Sequence, residues 1–341
     1  MNTPPLQPQR RALLLALAAG GLQACAGQPA APAQPAKAPA MPDLSSYSLN
    51  RPVETTVADS DSPHYRFDKF SLDSADGKRH YRVQLAIPKA PPPAAGYPLL
   101  VMLDGNAALA ALTPEQLAGM AASGRPLAIA ALGYETPLGV DVEARSFDYT
   151  PPVPGEDPTW DDRDRNRLGG GAELFLDLYE QKIQPELQRR LAYDPARSTL
   201  WGHSYGGLLA LYTLFTRPQL FPRYASADPS LWWHEGFMLE QEKRAVALPT
   251  TAAGTSLLLM AGSAGLDVQA ETRALRPGLD PAVVLAARER RRAVPPDATE
   301  KLGQRQAART GMSVDWRPFP GVSHGPMRPT SIPPTLLFAA R

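Results

Sequence analysis

A serine flanked by glycines, at the junction of a predicted strand and a predicted helix, constrains this chain more than any other feature. The hexapeptide is Gly202-His203-Ser204-Tyr205-Gly206-Gly207. It follows a short stretch that ends at Trp201, which is typical of a buried strand, and it precedes the apolar run Leu208–Phe215, which is typical of a helix. At such a junction the serine lies in a tight, strained turn, and its hydroxyl projects from the sheet toward a helix N-terminus. The pattern predicts that Ser204 is a catalytic nucleophile.

Apolar segments alternate with amphipathic ones along most of the chain. Strands are predicted within 53–73 and over Arg79–Pro88, Tyr97–Leu103, Leu127–Gly133, Ser256–Ala261 and Met312–Pro318. Helices are predicted over Pro114–Ser123, where Thr113 and Gln116 form a capping box, and over Glu173–Leu191. The polar stretch Glu143–Gly171 is predicted to be a long loop. This alternation predicts an α/β protein with the α/β-hydrolase fold, a mostly parallel central sheet with helices on both faces.

The N-terminal region has the composition of an export signal followed by a tether. Residues 1–24 contain Arg10-Arg11 and then a short apolar run, and Leu22-Gln23-Ala24-Cys25 resembles a bacterial lipobox. Residues 25–44 are rich in alanine and proline, which cannot bury a core. We therefore expect a lipid on Cys25, a catalytic domain over 45–341, and a periplasmic, membrane-anchored lipoprotein.

Two alternatives apply to this signal. An ordinary signal peptide cut at a nearby small residue would leave Cys25 incidental, and the paired arginines also resemble a twin-arginine signal. The composition of the chain excludes several classes of function and of site. The net charge of +1 offers no electrostatic argument for nucleic-acid binding, and the single cysteine excludes an internal disulfide and a cysteine-based metal cluster. We expect no cofactor and no metal.

A serine nucleophile needs a base and a group that orients the base. Two histidines follow Ser204, and His324 lies in a late, glycine-containing segment predicted to be a loop, so it is the predicted base. The acid should follow the strand Ser256–Ala261. Asp267 is the first choice, Glu271 is the second, and a site without a direct acid remains an alternative.

An oxyanion hole needs two backbone N–H groups. The residue after the nucleophile, Tyr205, supplies one. Asn106 is the candidate for the other, because Asp104-Gly105-Asn106 follows a central strand, although an ordinary turn would have the same sequence.

Five segments together resemble the bacterial periplasmic esterases that act on trilactone siderophores. They are Leu103–Asn106, Arg145–Thr150, Gly202–Gly207, Asp228–Trp233 and Ser323–Met327. The resemblance covers most of the chain from about Ser45 onward. It implies hydrolysis of the serine ester bonds of a catecholate siderophore such as enterobactin or salmochelin, iron-loaded or iron-free. It also implies that Arg145 lies in the site and binds the anionic substrate.

The aromatic arms of such a substrate suit Trp232 and Trp233, which would stack on them, although either tryptophan could instead belong to the core. The charged segment Asp267–Thr310 is interpreted as a solvated insertion, with a substrate-binding patch as the alternative. Two other functions stay open at this point: a general short-chain carboxylesterase, and a non-catalytic lipoprotein that only binds a siderophore.

Overall fold

The computed structural model describes residues 52–246, 254–263, 289, 292–308 and 312–341. Within these residues eight strands form the main sheet. They are β1 (Tyr65–Asp73), β2 (His80–Pro88), β3 (Tyr97–Leu103), β4 (Ala128–Tyr134), β7 (Tyr193–His203), β8 (Arg223–Ala227), β9 (Ser256–Gly262) and β10 (Ser313–Phe319), while β5 (Trp160–Asp162) and β6 (Arg167–Leu168) pair separately.

The strand order of the main sheet is β1-β2-β4-β3-β7-β8-β9-β10. Strand β2 is antiparallel to both of its neighbours, and all pairs from β4 to β10 are parallel. The predicted fold class, a mostly parallel sheet of the α/β-hydrolase type, is confirmed.

Strand β3 lies at the centre of this sheet. Every residue of β3 is buried, because helices cover both faces of the sheet there. Alternate residues of β3 therefore enter two separate apolar layers, with Leu99 in one and Leu100 in the other.

The helices are α1 (Gly105–Ala111), α2 (Pro114–Ala122), α3 (Val142–Asp148), α4 (Ala172–Leu178), α5 (Gln184–Arg190), α6 (Tyr205–Thr216), α7 (Phe237–Val246), α8 (Ala298–Ala307) and α9 (His324–Ala339). A π-helical segment, Tyr179–Ile183, joins α4 to α5, so the helix predicted over Glu173–Leu191 is confirmed. The predicted capping box of α2 is also present, with Thr113 and Gln116 each accepting from the other's backbone N–H.

The prediction of a loop over Glu143–Gly171 was wrong. This stretch contains most of α3 and a small antiparallel hairpin of β5 and β6. Its alternating charges pair with one another: Arg167 contacts Asp161, and Arg165 contacts Asp162. Because these carboxylates are buried in ion pairs, a charge run that is typical of a solvated loop instead holds a folded hairpin.

Several predictions concern residues outside the described ranges. These are the export signal 1–24, the tether 25–44, Cys25, and both carboxylates considered as the acid, Asp267 and Glu271. Among the described residues, none of the helices has the length and apolarity that crossing a membrane requires.

Candidate active site

Ser204 follows the central strand β7 and is the N-cap of α6. Its backbone has φ 63° and ψ −117°, a conformation that side chains rarely adopt. The turn is tight enough that a Cβ on Gly202 would come within 2.2 Å of the carbonyl group of Gly206. The Ser204 N–H donates to the carbonyl oxygen of Ala227 at 3.0 Å. The glycines therefore permit a strained turn that presents the serine hydroxyl at the carboxyl edge of the sheet.

His324 contacts this hydroxyl. Its Nε2 lies 3.0 Å from the Oγ of Ser204. His324 is the first residue of α9, following Ser323 at the N-cap, so the prediction that it lies in a loop was wrong. The Ser204 Oγ is also 3.1 Å from the Oγ of the fully buried Ser230. The predicted nucleophile and base are thus brought within hydrogen-bonding distance across 120 residues of sequence.

The carboxylate that meets the other ring nitrogen belongs to Asp228. Its Oδ2 lies 2.6 Å from the Nδ1 of His324. Asp228 follows β8, the strand beside β7, whereas the acid was predicted one strand further along, after β9. The strand β8 was not predicted from the sequence, so Asp228 was not recognised as a carboxylate at the same sheet edge as Ser204.

The main chain fixes Asp228 firmly. Its backbone has φ 45°, and its N–H donates to the carbonyl oxygen of Met260 at 2.7 Å. The N–H of Gly262 in turn approaches Oδ1 of Asp228 at 3.3 Å. Both contacts come from β9, so the next strand holds the carboxylate toward His324.

His203, beside the nucleophile, points away from it into the protein. Its ring is buried, and Nε2–H donates to the carbonyl oxygen of His324 at 2.7 Å. Burial is the main cause that holds the pKa of His203 well below its usual range, and electrostatic interactions with His324 and Arg328 add to it. A neutral His203 therefore anchors the first turn of α9, which carries the base.

The first residues of two helices offer backbone donors at this edge. Tyr205 begins α6, and Gly105 and Asn106 begin α1, so their N–H groups have no carbonyl partner within their own helix. The side-chain amide of Asn106 lies 2.9–3.2 Å from the carbonyl oxygens of Tyr134, Thr136 and Leu138. The side chain of Asn106 therefore fixes the segment after β4, and only its backbone N–H is left for the predicted oxyanion role.

Arg145 lies inside the protein, which differs from the expectation that it meets the substrate. Its Nε and Nη2 donate to the two carboxylate oxygens of Asp104 at 2.8 and 2.9 Å. The side chains of Arg145 and Asp104 are 6% and 1% exposed. A guanidinium that is buried and already paired in this way is not presented to a ligand in the open site.

The two tryptophans differ in burial, although they lie in a turn and at the start of a short 3-10 helix rather than on an extended segment. Trp233 is buried, and its Nε1–H donates to Oδ1 of Asp161 at 3.1 Å. The same oxygen accepts from the Oη of Tyr205 at 2.7 Å. Trp232 is half-buried, with its ring centroid 6.0 Å from that of Tyr205. Trp233 thus belongs to the core, and Trp232 is the tryptophan left partly open beside the nucleophile turn.

His203, Asp228 and His324 each place one possible metal-ligand atom within 4.8 Å of the others. Both ring nitrogens of His324 are already within hydrogen-bonding distance of Ser204 and Asp228. A metal ion would have to displace one of these contacts. The donor set therefore fits a serine–histidine–aspartate arrangement better than a metal centre.

The fold and this arrangement define an α/β-hydrolase with a serine-centred site. The family model described as "Putative esterase" matches residues 74–265, more than half of the chain. The apo-salmochelin esterase of Escherichia coli is 38% identical over 225 residues, covering 66% of this chain and 70% of that protein. The ferri-bacillibactin esterase BesA of Bacillus subtilis is 33% identical over 187 residues, 52% of this chain and 63% of BesA.

A solved structure agrees with these relatives. The enterobactin hydrolase IroE in complex with DFP has a TM-score of 0.63 and 33% identity, covering 83% of this chain and 98% of that chain. The chain therefore belongs to this esterase family and is a carboxylic-ester hydrolase.

Proposed function

We propose that this chain hydrolyses the ester bonds of a catecholate trilactone siderophore, with Ser204 as nucleophile, His324 as base and Asp228 as the group that orients the base. The observation that carries the proposal is the continuous contact from Ser204 Oγ through His324 to Asp228, at 3.0 and 2.6 Å. A site that only bound a siderophore would not need this alignment. The non-catalytic alternative is therefore disfavoured.

The arrangement supports a two-step acyl transfer. The Oγ of Ser204 attacks the ester carbonyl carbon while Nε2 of His324 takes the hydroxyl proton. The carbonyl oxygen becomes an oxyanion that accepts from the N–H of Tyr205 and from the start of α1. Collapse of this intermediate expels the alcohol, which takes the proton from His324 and leaves an acyl-serine. A water molecule, activated by the same histidine, then releases the acid and restores Ser204.

Asp228 stabilises the imidazolium that forms in both steps, and it fixes the tautomer that leaves Nε2 free to accept the serine proton. His203 supports the same group indirectly, because it holds the carbonyl oxygen of His324. The base is thus positioned by two residues of the same sheet edge.

The substrate class rests on the relatives and on one side chain. Proteins named as salmochelin, bacillibactin and enterobactin esterases or hydrolases align with this chain. The half-buried indole of Trp232 lies beside Tyr205, where an aromatic arm of a bound trilactone could stack on it. A short-chain ester would gain little from such a surface, which favours the siderophore over the general carboxylesterase.

The test is product analysis with purified protein. Iron-free and ferric enterobactin are each incubated with the wild type and with Ser204→Ala, and the linear products are identified by mass spectrometry. We expect stepwise opening of the trilactone by the wild type only. Hydrolysis of a short-chain nitrophenyl ester without any opening of the trilactone would instead support the carboxylesterase.

We also propose that the protein is exported to the periplasm and anchored through a lipid on Cys25. Support comes from the sequence alone, where Leu22-Gln23-Ala24-Cys25 precedes an alanine- and proline-rich segment. Cells are labelled with a fatty-acid analogue and fractionated. We expect label on the wild type and none on Cys25→Ser, and an unlabelled, soluble wild type would contradict the anchor.

A further inference from the structure

Arg145 and Asp104 form a buried, bidentate ion pair directly behind the turn that carries Ser204. Asp104 follows β3 and is the N-cap of α1. Arg145 comes from α3, and its Nη2 also approaches the carbonyl oxygen of His203 at 3.4 Å. The guanidinium therefore contacts both turns that precede the helices with free backbone donors, the turn before α1 and the turn before α6.

Aromatic rings complete the surroundings of this guanidinium. Its central carbon lies 5.1 Å from the ring centroid of Tyr205 and 5.5 Å from that of Tyr149. The Oη of Tyr149 accepts from the backbone N–H of Asp104 at 3.2 Å. Asp104 is thus held through its backbone as well as its side chain.

Asp104 adopts a conformation that needs such support. Its backbone has φ 51°, in the left-handed region that aspartate tolerates only at some cost. An aspartate at this position usually caps its helix by accepting from the N–H of the second or third residue. Here its side chain makes no capping hydrogen bond. Both carboxylate oxygens point to Arg145 instead, which leaves the start of α1 without a side-chain cap.

The position of the Asp104 carboxylate affects how the oxyanion can be stabilised. A carboxylate that capped α1 would occupy the N–H groups that a developing oxyanion should use, and its negative charge would repel that oxyanion. We infer that Arg145 is a positioning residue: it holds the carboxylate of Asp104 away from the N-terminus of α1 and ties the two donor-bearing turns together. This inference rests on the proposed esterase function, and it gives Arg145 no contact with the substrate.

The experiment compares Arg145→Met and Arg145→Lys with the wild type on two substrates, the trianionic ferric enterobactin and a neutral nitrophenyl ester. Because the oxyanion forms on both esters, we expect kcat to fall by the same factor on both, about 10- to 1000-fold for Arg145→Met, with KM nearly unchanged. Arg145→Lys keeps the positive charge but cannot donate two parallel hydrogen bonds to the carboxylate of Asp104, so it should restore only part of the rate.

A second substitution tests the role of the carboxylate. In Arg145→Met the freed carboxylate of Asp104 can cap α1, whereas glycine at the same position has neither a charge nor a capping side chain and suits the positive φ. Adding Asp104→Gly to Arg145→Met should therefore raise kcat again, by about tenfold, although it removes a further charged group. An additive loss in the double variant would contradict the inference.

Arg79→Met is the matched control, since Arg79 forms another buried ion pair, at 2.9 Å to Asp148, and touches neither donor-bearing turn. It should lower the melting temperature and leave kcat within about threefold of the wild type. Equal losses of kcat in both arginine variants would reduce Arg145 to a structural residue.

A loss by Arg145→Met on ferric enterobactin alone would make it a substrate-binding residue and overturn the inference. If the wild type cleaves only the nitrophenyl ester, the siderophore proposal fails, while the role of Arg145 is still decided on that ester. The rate of Ser204 labelling by a fluorophosphonate gives an independent readout on folded protein.

Discussion

The Nδ1 of His324 lies 2.6 Å from Oδ2 of Asp228, and this contact joins the first turn of α9 to the end of β8. The aspartate is 19% exposed and the histidine 29% exposed, so the pair sits at the edge of the site rather than in the core. Water therefore reaches both groups, as the second step of ester hydrolysis requires. Asp228 contributes by orienting His324, because two further contacts from β9 restrict the movement of Asp228.

Asp228→Asn should lower kcat by about 10³- to 10⁴-fold, because the amide can stabilise neither the imidazolium nor the productive tautomer. Asparagine accepts the positive φ of this position as readily as aspartate, so the fold should persist. The measurement is kcat on a nitrophenyl ester together with the melting temperature. Asp315→Asn, at an ion pair on β10, is the control and should keep full activity. An Asp228→Asn enzyme within about tenfold of the wild type would indicate a serine–histidine dyad.

Two substitutions of Ser204 should differ in stability although both abolish turnover. The strained backbone at φ 63° and ψ −117° suits glycine, so we expect Ser204→Gly to be more stable than Ser204→Ala by about 1 kcal/mol in urea unfolding. The exposed Ser71 of β1 is the control. Its strand backbone is ordinary, so Ser71→Gly should be less stable than Ser71→Ala. If Ser204→Gly proved the less stable variant, the turn would not be strained.

His203 should make the protein sensitive to mild acid. Its pKa is held low in the folded state, chiefly by burial, whereas in the unfolded chain it returns to about 6.5. The unfolded state therefore takes up a proton first, and the stability that neutral His203 contributes is full above about pH 6.5 and is lost as the pH falls below it.

His203→Gln keeps an N–H donor for the carbonyl oxygen of His324 but does not titrate. The free energy of unfolding of the wild type, minus that of this variant, should therefore decrease between about pH 7 and pH 5. Urea titrations at closely spaced pH values measure the difference. A difference that stays constant across this range would show that His203 does not couple to folding.

The sequence predicted the parts of the site that local patterns determine. The turn at Ser204 and the strand Tyr97–Leu103 follow from glycine spacing and from continuous apolar residues. The partners of Arg145 and His324 could not be predicted in this way, because Asp104 is 41 residues from Arg145, and Asp228 is 96 residues from His324. Such pairs depend on strand order and register, which a single sequence does not specify.

The buried carboxylate of Asp161 is another group whose surroundings a sequence pattern does not predict. Its side chain is fully buried within a charge run that is typical of solvated loops, and it accepts hydrogen bonds from Tyr205, Trp233 and Arg167. The hairpin of β5 and β6 is thereby attached to the residue that follows the nucleophile.

Tyr205→Phe removes one donor from this buried carboxylate, and we expect a loss of about 1–3 kcal/mol in the free energy of unfolding, because the desolvated charge is left with fewer partners. Tyr212→Phe is the matched control. Its Oη also donates to a carboxylate, that of Glu173, but this group is 36% exposed, so water can replace the lost donor and the cost should stay below about 1 kcal/mol. Urea unfolding of the two variants compares them directly, and kcat on a nitrophenyl ester shows whether the hairpin positions the Tyr205 backbone. Equal stability losses in the two variants would mean that the contact with Asp161 contributes no more than an ordinary surface hydrogen bond.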